Sequence, residues 1–353
     1  MTPRCVDQLL AGYADGDAIS QEARKFRDIV RELGIQSEIF APSDRIGVRV
    51  ANDCRPIEAY DGTLQDVVVY HYSIASPASS FFLNSLARKI MRYHNITPAD
   101  FFDGFDDDVA AQLRKARSEL RDMASQADSV WADSEFNATE LREAGVERVF
   151  VMPLLFSPED FGVEPDPYTL RKFGGALKNI LFVGRIVPNK CVEELILSFA
   201  WLNRCIDPRS RFVLVGSERS CPRYFAMLRM LAGRLGLMNV CFEGFLSSAQ
   251  LAACYRAADV FVCASRHEGY CLPLVEAMCN GVPVIAREAG GMPEAMGGAG
   301  IMFEDVEPRI LAELIYRVLI DEELRRETIK SELKRVTEIK RRDIREECRL
   351  FLA

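Results

Sequence analysis

The stretch from Ser265 to Glu294 carries the pattern with the clearest chemical meaning, SRHEGYCLPLVEAMCNGVPVIAREAGGMPE. It begins where a strand is predicted to end, and Pro273 suits the first turn of a helix, because a missing N–H costs little there. Backbone N–H groups at a helix amino terminus favour anions. The sequence therefore predicts an anion site, suited to a diphosphate, at the backbone amides of Gly269, Tyr270, Cys271 and Leu272.

Two glutamates in this stretch could bind hydroxyl groups. Glu268 lies in the predicted loop, and Glu276 lies one turn inside the predicted helix. Each carboxylate offers two acceptor oxygens, which suits vicinal hydroxyls of a sugar. The alternative is that Glu268 is an acid favoured by the helix dipole and Glu276 is a solvated side chain. The two residues alone leave both interpretations open.

A second cluster, Gly184, Arg185 and Lys190 in FVGRIVPNK, also follows a predicted strand and precedes a predicted helix. An arginine fork and a lysine ammonium would neutralise a diphosphate and stabilise the charge on a departing nucleotide. The spacing does not match a P-loop, because GxxxxGK[ST] is absent. A plain surface turn is the alternative.

These motifs need a scaffold that brings strand ends together. In the first part of the chain, a predicted helix from Ala18 to Leu33 and further helical segments alternate with short apolar runs. A continuous apolar run such as VVVYHY is typical of a parallel strand buried on both faces. The predicted strands are Cys5–Leu10, Ser37–Ala41, Val67–Tyr72, Lys89–His94, Ser129–Ala132 and Arg148–Met152.

Four prolines, at positions 153, 158, 165 and 167, indicate a domain linker. Strands are predicted again at 179–183, 212–215, 240–243, 260–263 and 282–285, and the charged tail from Asp321 is predicted to be helical. We therefore predict an α/β chain of two Rossmann-like, doubly wound domains, residues 1–158 and 159–335, with a helix at 336–353 that packs back toward the first domain. Such sheets bind ligands at the carboxyl ends of their strands.

The composition excludes several classes of protein. The 353 residues carry a formal net charge of -8, which disfavours nucleic-acid binding, because nucleic-acid-binding proteins neutralise phosphates with basic surfaces. The chain has eleven scattered cysteines without a CxxC pair and only three histidines. We therefore expect reduced core thiols and no bound metal.

No apolar run approaches the ~20 residues that a membrane span requires, and no long apolar stretch opens the chain. We therefore expect a soluble, cytoplasmic protein. Basic clusters on two predicted helices leave two interpretations open, a solvated face or a peripheral contact with the inner face of a membrane. The clusters are Arg24, Lys25, Arg27 and Arg31, and Arg114, Lys115 and Arg117.

The paired glutamates in EGYCLPLVE, with GRIVPNK upstream, resemble the retaining glycosyltransferase family four. Its members have the GT-B fold, two Rossmann-like domains facing a central cleft. GDAISQEA after the first strand, YHNI at 93–96 and ADSEFNATEL at 132–141 are similar to the amino-terminal domain of members that make polysaccharides and O-antigens, often mannosyltransferases. The resemblance covers nearly the whole chain.

The resemblance implies a role for each matching residue. Glu276 would hold the nucleotide ribose and Glu268 the hydroxyls of the donor sugar, while Arg185 and Lys190 bind the diphosphate beside Gly184. Residues 269–272 would contact donor sugar and phosphate through backbone amides. The segment containing Gly244 and Phe245 would border the base. His94 matches the family histidine close to donor sugar and acceptor, or else it caps a strand end.

The first loop departs from the family pattern. Many members have two glycines after the first strand, where the backbone approaches the donor phosphate. Here Gly12 and Gly16 flank Tyr13, Ala14 and Asp15, so Gly16 alone is assigned to the donor. Asp17 is predicted to cap the following helix.

We therefore expect a retaining, metal-independent transfer of a hexose, in first choice mannose from GDP-mannose. The acceptor would be a saccharide or lipid-linked saccharide in surface polysaccharide synthesis. A UDP-sugar donor, or a catalytically silent nucleotide-binding scaffold, are the alternatives. A DxD metal motif at Asp106–Asp108 is disfavoured, because these acids precede a predicted helix. An NAD-dependent oxidoreductase is set aside, because no GxGxxG follows the first strand.

Overall fold

The computed structural model describes residues 3–352, which divide into two units. The first unit comprises residues 3–100, 108–156 and 342–352, and the second comprises residues 101–107 and 157–341. Each unit contains one parallel sheet with helices packed on it.

The first unit has a seven-stranded sheet in the order β3-β2-β1-β4-β5-β6-β7, and the second has a six-stranded sheet in the order β10-β9-β8-β11-β12-β13. Every strand pairing in both sheets is parallel. The order reverses beside β1 and beside β8, as in doubly wound sheets. The strands are β1 Val6–Leu10, β2 Ile39–Ala41, β3 Arg55–Pro56, β4 Val67–Tyr72, β5 Arg88–Tyr93, β6 Ser129–Ala132, β7 Phe150–Val151, β8 Lys178–Val183, β9 Ser210–Val215, β10 Val240–Gly244, β11 Val260–Cys263, β12 Val284–Arg287 and β13 Ile301–Phe303.

The helices connect these strands and cover the sheets. They are α1 Ala18–Glu32, α2 Ala78–Asn84, α3 Asp107–Ser125, α4 Glu135–Glu143, α5 Pro167–Phe173, α6 Val192–Trp201, α7 Pro222–Arg234, α8 Ser248–Ala257, α9 Leu272–Cys279, α10 Met292–Met296, α11 Pro308–Ile320, α12 Glu322–Lys340 and α13 Ile344–Leu352. The predicted fold class, two Rossmann-like α/β halves, is confirmed.

Helix α1 shows how local sequence fixes an element. Its amino-terminal cap is Asp17, whose carboxylate accepts the backbone N–H of Ser20 at 2.9 Å, as predicted. Its apolar face packs on the first sheet, where Phe26 meets the buried ring of Trp131 at 6.3 Å. Phe351 of α13 packs on the same tryptophan at 5.3 Å. The last helix therefore belongs to the core of the first unit.

Three strands match their predicted residues in full, β4, β6 and β11, because each is a continuous buried apolar run. Two strands escaped prediction. β3 is only two residues long and contains Pro56, which is tolerated at a sheet edge. β13 has three residues and follows a glycine-rich segment that reads as a loop.

The tail is helical, as predicted, but it forms two helices, and the helix start predicted at residue 336 lies inside α12. α12 ends at Lys340, and α13 starts at Ile344 after a new cap, because the carboxylate of Asp343 accepts the N–H of Glu346 at 3.0 Å. Between them, Arg342 donates to the carbonyl of Leu154 at 3.0 Å. The break lets residues 342–352 join the first unit.

The two basic clusters are paired with carboxylates. Arg24 and Arg27 both bind Asp53, at 2.9 and 2.6 Å. The remaining pairs are Arg31 with Glu38, Arg114 with Asp100, Lys115 with Glu119 and Arg117 with Glu140. These pairs neutralise much of the charge that an anionic surface would attract. Within residues 3–352, no helix combines the length and apolar character of a transmembrane segment.

Glu332 of α12 is a fully buried acid in the second unit. Its Oε1 accepts the backbone N–H of Val284 at 2.8 Å, at the start of β12. Its Oε2 has no partner within the described part of the chain. Burial raises the pKa of Glu332 to about 8, so this carboxyl is mostly protonated at neutral pH.

Replacing Glu332 with glutamine should therefore stabilise the protein at high pH. The unfolded chain releases the proton near pH 4.5, whereas the folded chain keeps it up to about pH 8. Wild type should lose stability between these values, by at most about 1.4 kcal/mol per pH unit, and Glu332→Gln should not. Thermal midpoints at pH 5, 7 and 8.5 measure this, with the exposed Glu323→Gln on the same helix as control. Parallel pH profiles for all three proteins would contradict it.

Candidate active site

The two motifs of the second unit lie on neighbouring parallel strands. β8 and β11 pair directly, with Phe261 opposite Leu181. Parallel strands end at the same edge of a sheet, so the turn after β8 lies beside the turn after β11. There the ammonium of Lys190 contacts the carboxylate of Glu268, although 78 residues separate them in sequence. The structure thus brings the two motifs into one site.

The ion pair between Lys190 and Glu268 is largely shielded from water, with side-chain exposures of 12% and 11%. Burial disfavours the ammonium, but the Glu268 carboxylate, together with the nearby sulfurs of Cys271 and Cys263, raises the pKa of Lys190 above its ordinary value. Two hydrogen bonds to backbone carbonyls tie the two turns together. Asn189 Nδ2 donates to the carbonyl of His267 at 3.0 Å, and the N–H of Arg266 donates to the carbonyl of Asn189 at 2.9 Å. Lys190 is therefore a permanent cation in a fixed position.

Arg185 offers a different kind of cation. It follows Gly184, whose N–H still belongs to the sheet and donates to Val215 at 3.0 Å. The Arg185 side chain is exposed, and its guanidinium has no hydrogen-bond or ion-pair partner among residues 3–352. A guanidinium carries five N–H donors and matches phosphate geometry. Arg185 can therefore bind an anion without first breaking an internal contact.

The loop after Glu268 leads into α9, which begins at Leu272 with Pro273 as its second residue, as predicted. Cys271 immediately before the helix has a left-handed backbone, with φ of 73°. Behind the loop, Gly291 donates its N–H to the Glu268 carbonyl at 2.8 Å. A β-carbon on Gly291 would lie 2.0 Å from the Gly269 carbonyl oxygen, so only glycine fits. This role of Gly291 was not predicted, although the glycine pair in AREAGG indicates a turn.

Glu276 lies in the second turn of α9, as predicted, and is held by a residue that sequence analysis missed. The hydroxyl of Tyr255 on α8 donates to Glu276 Oε2 at 2.6 Å. Burial raises the pKa of Glu276 above its ordinary value, and the Tyr255 hydrogen bond partly opposes this rise. Tyr255 therefore fixes the orientation of the carboxylate. No motif signals Tyr255, because the contact crosses from one helix to another.

Gly244 and Phe245 lie at the end of β10, which β9 separates from β8. Because all these strands are parallel, the end of β10 is at the same edge of the sheet as Arg185 and Lys190. The side chain of Phe245 is 46% exposed. An exposed aromatic ring at this edge can stack on a planar group.

In the first unit, His94 follows β5 and is part of a buried chain of hydrogen bonds. Gln8 Oε1 lies 2.9 Å from His71 Nε2, His71 Nδ1 lies 2.7 Å from His94 Nε2, and His94 Nδ1 lies 2.8 Å from Asp133 Oδ2. The side chain of His94 is only 2% exposed. Both ring nitrogens of His94 are therefore bound inside the first unit.

The hydrogen-bonded series from Gln8 through His71 and His94 to Asp133 needs one more proton than two neutral histidines carry. Gln8 Nε2 donates to the Ala23 carbonyl at 2.9 Å, which leaves Gln8 Oε1 as an acceptor facing His71. The series then has an acceptor at each end and contains three hydrogen bonds, each of which requires one proton. Two neutral imidazoles supply only two protons. Burial, with the charges of His94 and Arg92, holds the pKa of His71 well below its ordinary value. The third proton therefore belongs to His94 and its carboxylate neighbours.

Charge balance around His94 agrees with this count. The carboxylates of Glu22 and Asp133 contact the single guanidinium of Arg92, with Asp133 at 3.1 Å. Two negative charges and one positive charge leave a net charge of -1, which a third proton neutralises. A buried cluster of this kind is stable only when its charges are paired.

The first loop takes its shape from side-chain contacts. Tyr13 is completely buried, its N–H donates to the Arg45 carbonyl at 3.0 Å, and its carbonyl accepts the N–H of Gly47 at 2.8 Å. The Tyr13 hydroxyl also bonds Asp53, the partner of α1 arginines. Gly16 lies in the exposed turn before α1, with φ of 75°. A tyrosine anchored on both sides thus replaces the glycine pair.

Two groups of described side chains place ligand-type atoms within 4.8 Å of one another, namely Glu22, His71 and His94, and Cys263, Glu268 and Cys271. In the first group both histidines bond to protein partners, and in the second Glu268 bonds Lys190. These contacts account for both groupings. Among residues 3–352, Asp106–Asp108 belongs to neither group, and Asp107 starts α3.

Comparison with known proteins finds a family match within the second unit and relatives of part of the chain. Residues 172–335 match the family model described as glycosyl transferases group 1. Mannosylfructose-phosphate synthase of Agrobacterium fabrum is 35% identical over 141 residues, which cover 38% of this chain and 31% of that protein. The serotype-specific mannosyltransferase WbdA of Escherichia coli is 28% identical over 211 residues, which cover 57% of this chain and 26% of that protein. The chain thus spans about a third or less of the length of these curated relatives.

A solved structure resembles the whole chain. HepE of Anabaena, in complex with UDP and glucose, has a TM-score of 0.74 at 19% identity and covers 98% of both chains. The likeness over both units supports the predicted GT-B fold.

The proton count predicts a distinctive nitrogen spectrum for the buried histidines. Protein labelled with 15N-histidine at pH 7 should show one ring protonated at both nitrogens, His94, and one neutral ring protonated at Nε2, His71. The chain has only three histidines, so a His267→Gln variant identifies the third set of signals. Two neutral buried rings would contradict the assignment of the third proton to His94.

Proposed function

We propose that this chain transfers a hexose from a nucleoside diphosphate sugar to a saccharide or lipid-linked saccharide, because residues 172–335 match the family model of group 1 glycosyl transferases. The contact of Lys190 with Glu268, beside the exposed Arg185, carries this proposal. It places two cations and a hydroxyl acceptor at the carboxyl ends of adjacent parallel strands. Doubly wound sheets bind nucleotides at such edges.

In this proposal the donor lies along the edge of the second sheet. Arg185, Lys190 and the backbone amides of residues 269–272 bind the diphosphate. Glu268 accepts hydrogen bonds from the sugar hydroxyls, and Glu276, held by Tyr255, accepts those of the ribose. Gly244 and Phe245 border the base, where the exposed Phe245 ring offers a surface for stacking.

The transfer step needs stabilisation of the leaving diphosphate. Arg185 and Lys190 supply two positive charges where negative charge develops. In other enzymes a bound metal ion stabilises this charge. We propose that the sugar transfers with retention by a front-face route, in which a donor phosphate oxygen takes the proton of the acceptor hydroxyl. Both ring nitrogens of His94 are hydrogen-bonded to protein side chains, so His94 would act as a fixed polar group on the acceptor side. We further propose that turnover persists in EDTA.

Mannose from GDP-mannose is our first choice of donor. Two relatives that match parts of this chain carry mannose chemistry in their names, a mannosyltransferase and a mannosylfructose-phosphate synthase. A UDP-sugar is the alternative that the first experiment must include. Surface polysaccharide synthesis is the proposed setting.

Glu276→Ala should weaken nucleotide binding by about ten- to hundredfold, the cost of losing a charged hydrogen-bond acceptor. Calorimetry in EDTA with GDP, UDP, ADP and their common sugars measures this and fixes the base. Glu313→Ala, which removes an exposed glutamate on α11, is the matched control and should bind as wild type does. If wild type binds none of these nucleotides, the proposed function is wrong.

Glu268→Gln should weaken binding of the sugar without weakening binding of the diphosphate. In wild type Glu268 competes for the charge of Lys190, so the variant should bind a free nucleoside diphosphate at least as tightly. The extra affinity for the nucleotide sugar should vanish, and turnover should fall by about ten- to hundredfold. Calorimetry with the diphosphate and its sugar, followed by a transfer assay, tests both parts. Equal losses for both ligands would contradict this division of roles.

A further inference from the structure

Two cysteine sulfurs meet directly behind the anion-binding loop of the second unit. Cys263 is the last residue of β11, and Cys271 is the residue before α9. Their Sγ atoms are 3.9 Å apart, and the residues are 2% and 8% exposed. Among residues 3–352, no other two cysteine sulfurs lie within hydrogen-bonding distance. The chain therefore holds one preformed thiol pair.

We propose that Cys263 and Cys271 form a reversible disulfide under mild oxidation and that this bond displaces the loop between them. A disulfide requires sulfurs about 2.05 Å apart, so the two must approach by less than 2 Å. The seven intervening residues include Glu268 and Gly269, and the loop has no regular secondary structure. Loop movement can therefore supply the approach.

The surroundings favour oxidation of Cys263. The Cys263 sulfur lies within hydrogen-bonding distance of three groups, namely the Cys271 sulfur, the Ser265 hydroxyl at 3.2 Å and the Met292 sulfur at 3.7 Å. The hydrogen bond from Cys271 and then that from Ser265 lower the pKa of the Cys263 thiol despite its burial. The thiolate is the reactive form of cysteine. Cys263 is therefore the attacking sulfur and Cys271 the resolving one.

The chemistry balances with hydrogen peroxide as the oxidant. The Cys263 thiolate attacks one peroxide oxygen, the O–O bond breaks, and the departing hydroxide takes a proton to become water. The Cys271 thiol then attacks the sulfenic sulfur, the S–O bond breaks, and a second water leaves. Two thiols are oxidised to one disulfide while one peroxide is reduced to two waters. A dithiol reductant reverses the reaction.

The bond would act on the anion site because of where Cys271 lies. Its left-handed backbone, with φ of 73°, sets the direction in which α9 begins. Pulling its sulfur toward β11 moves the N–H groups of Cys271 and Leu272. The same movement strains the Glu268 carbonyl, which accepts the Gly291 N–H at 2.8 Å. Nucleotide binding at this site, which rests on the proposed function, should then weaken.

The test uses the full chain with Cys205→Ser, because Cys205 is exposed and could link two molecules. After peroxide treatment, peptide mapping should find Cys263 joined to Cys271 and the intact mass lowered by two hydrogens. Amide exchange of residues 264–274 should change, and dithiothreitol should restore it. Cys263→Ser should abolish all three effects, whereas Cys254→Ser, which removes a buried thiol on α8, should leave them intact.

Two results would overturn the proposal, namely peroxide treatment without a Cys263–Cys271 peptide, or the linked peptide with unchanged amide exchange in the loop. Nucleotide calorimetry on oxidised and reduced protein then asks about the donor site. Oxidation should weaken nucleotide binding at least tenfold. Failure of the reduced protein to bind any nucleotide would count against the proposed function, while mapping and exchange still decide the disulfide.

Discussion

The ion pair of Lys190 and Glu268 is the interaction on which the site of the second unit depends. An ammonium with only 12% of its side chain exposed is costly to bury alone, so it needs a nearby negative charge. Glu268 supplies this charge, because the direct pairing of β8 with β11 places the turns after the two strands side by side. The contacts of Asn189 and Arg266 then fix the distance between the turns. Lys190 is thus held charged and in position before an anionic ligand arrives, which reduces the reorganisation that binding requires.

In the first unit, a buried cation is balanced by a different arrangement of charges. Its buried guanidinium, Arg92, is 3% exposed and is surrounded by Glu22, Asp133 and the carbonyl of Met152. The histidine chain beside it has its hydrogen bonds filled from within. This cluster is buried and its guanidinium already faces two carboxylates, whereas Arg185 in the second unit is exposed and without a partner among the described residues. The contrast supports placing the nucleotide diphosphate on the second sheet.

The sequence predicted the fold well where burial dominates and less well where contacts are distant. VVVYHY and VFVC read as buried strands because both faces are covered, whereas β3, with its edge proline, carries no such pattern. In the site, Lys190 and Glu268 were found separately from local motifs, but their contact follows from strand order, which spacing does not reveal. Tyr255 and His71 were missed for the same reason, since each acts through a partner on another element. The break at residues 341–343 was hidden because α12 and α13 share the same charged composition.

The net charge of the whole chain is negative, as is the proposed ligand, but electrostatic repulsion in salt acts only over a short distance. A formal net charge of -8 would repel a nucleotide if it acted as one field. Salt screens exposed charges beyond about 8 Å at physiological ionic strength. Much of the acidic charge lies in surface pairs with arginine and lysine, as at Asp53 and Glu140. The electrostatic potential at the edge of the second sheet is therefore set by Arg185, Lys190 and the start of α9. The net charge of the chain contributes little to it.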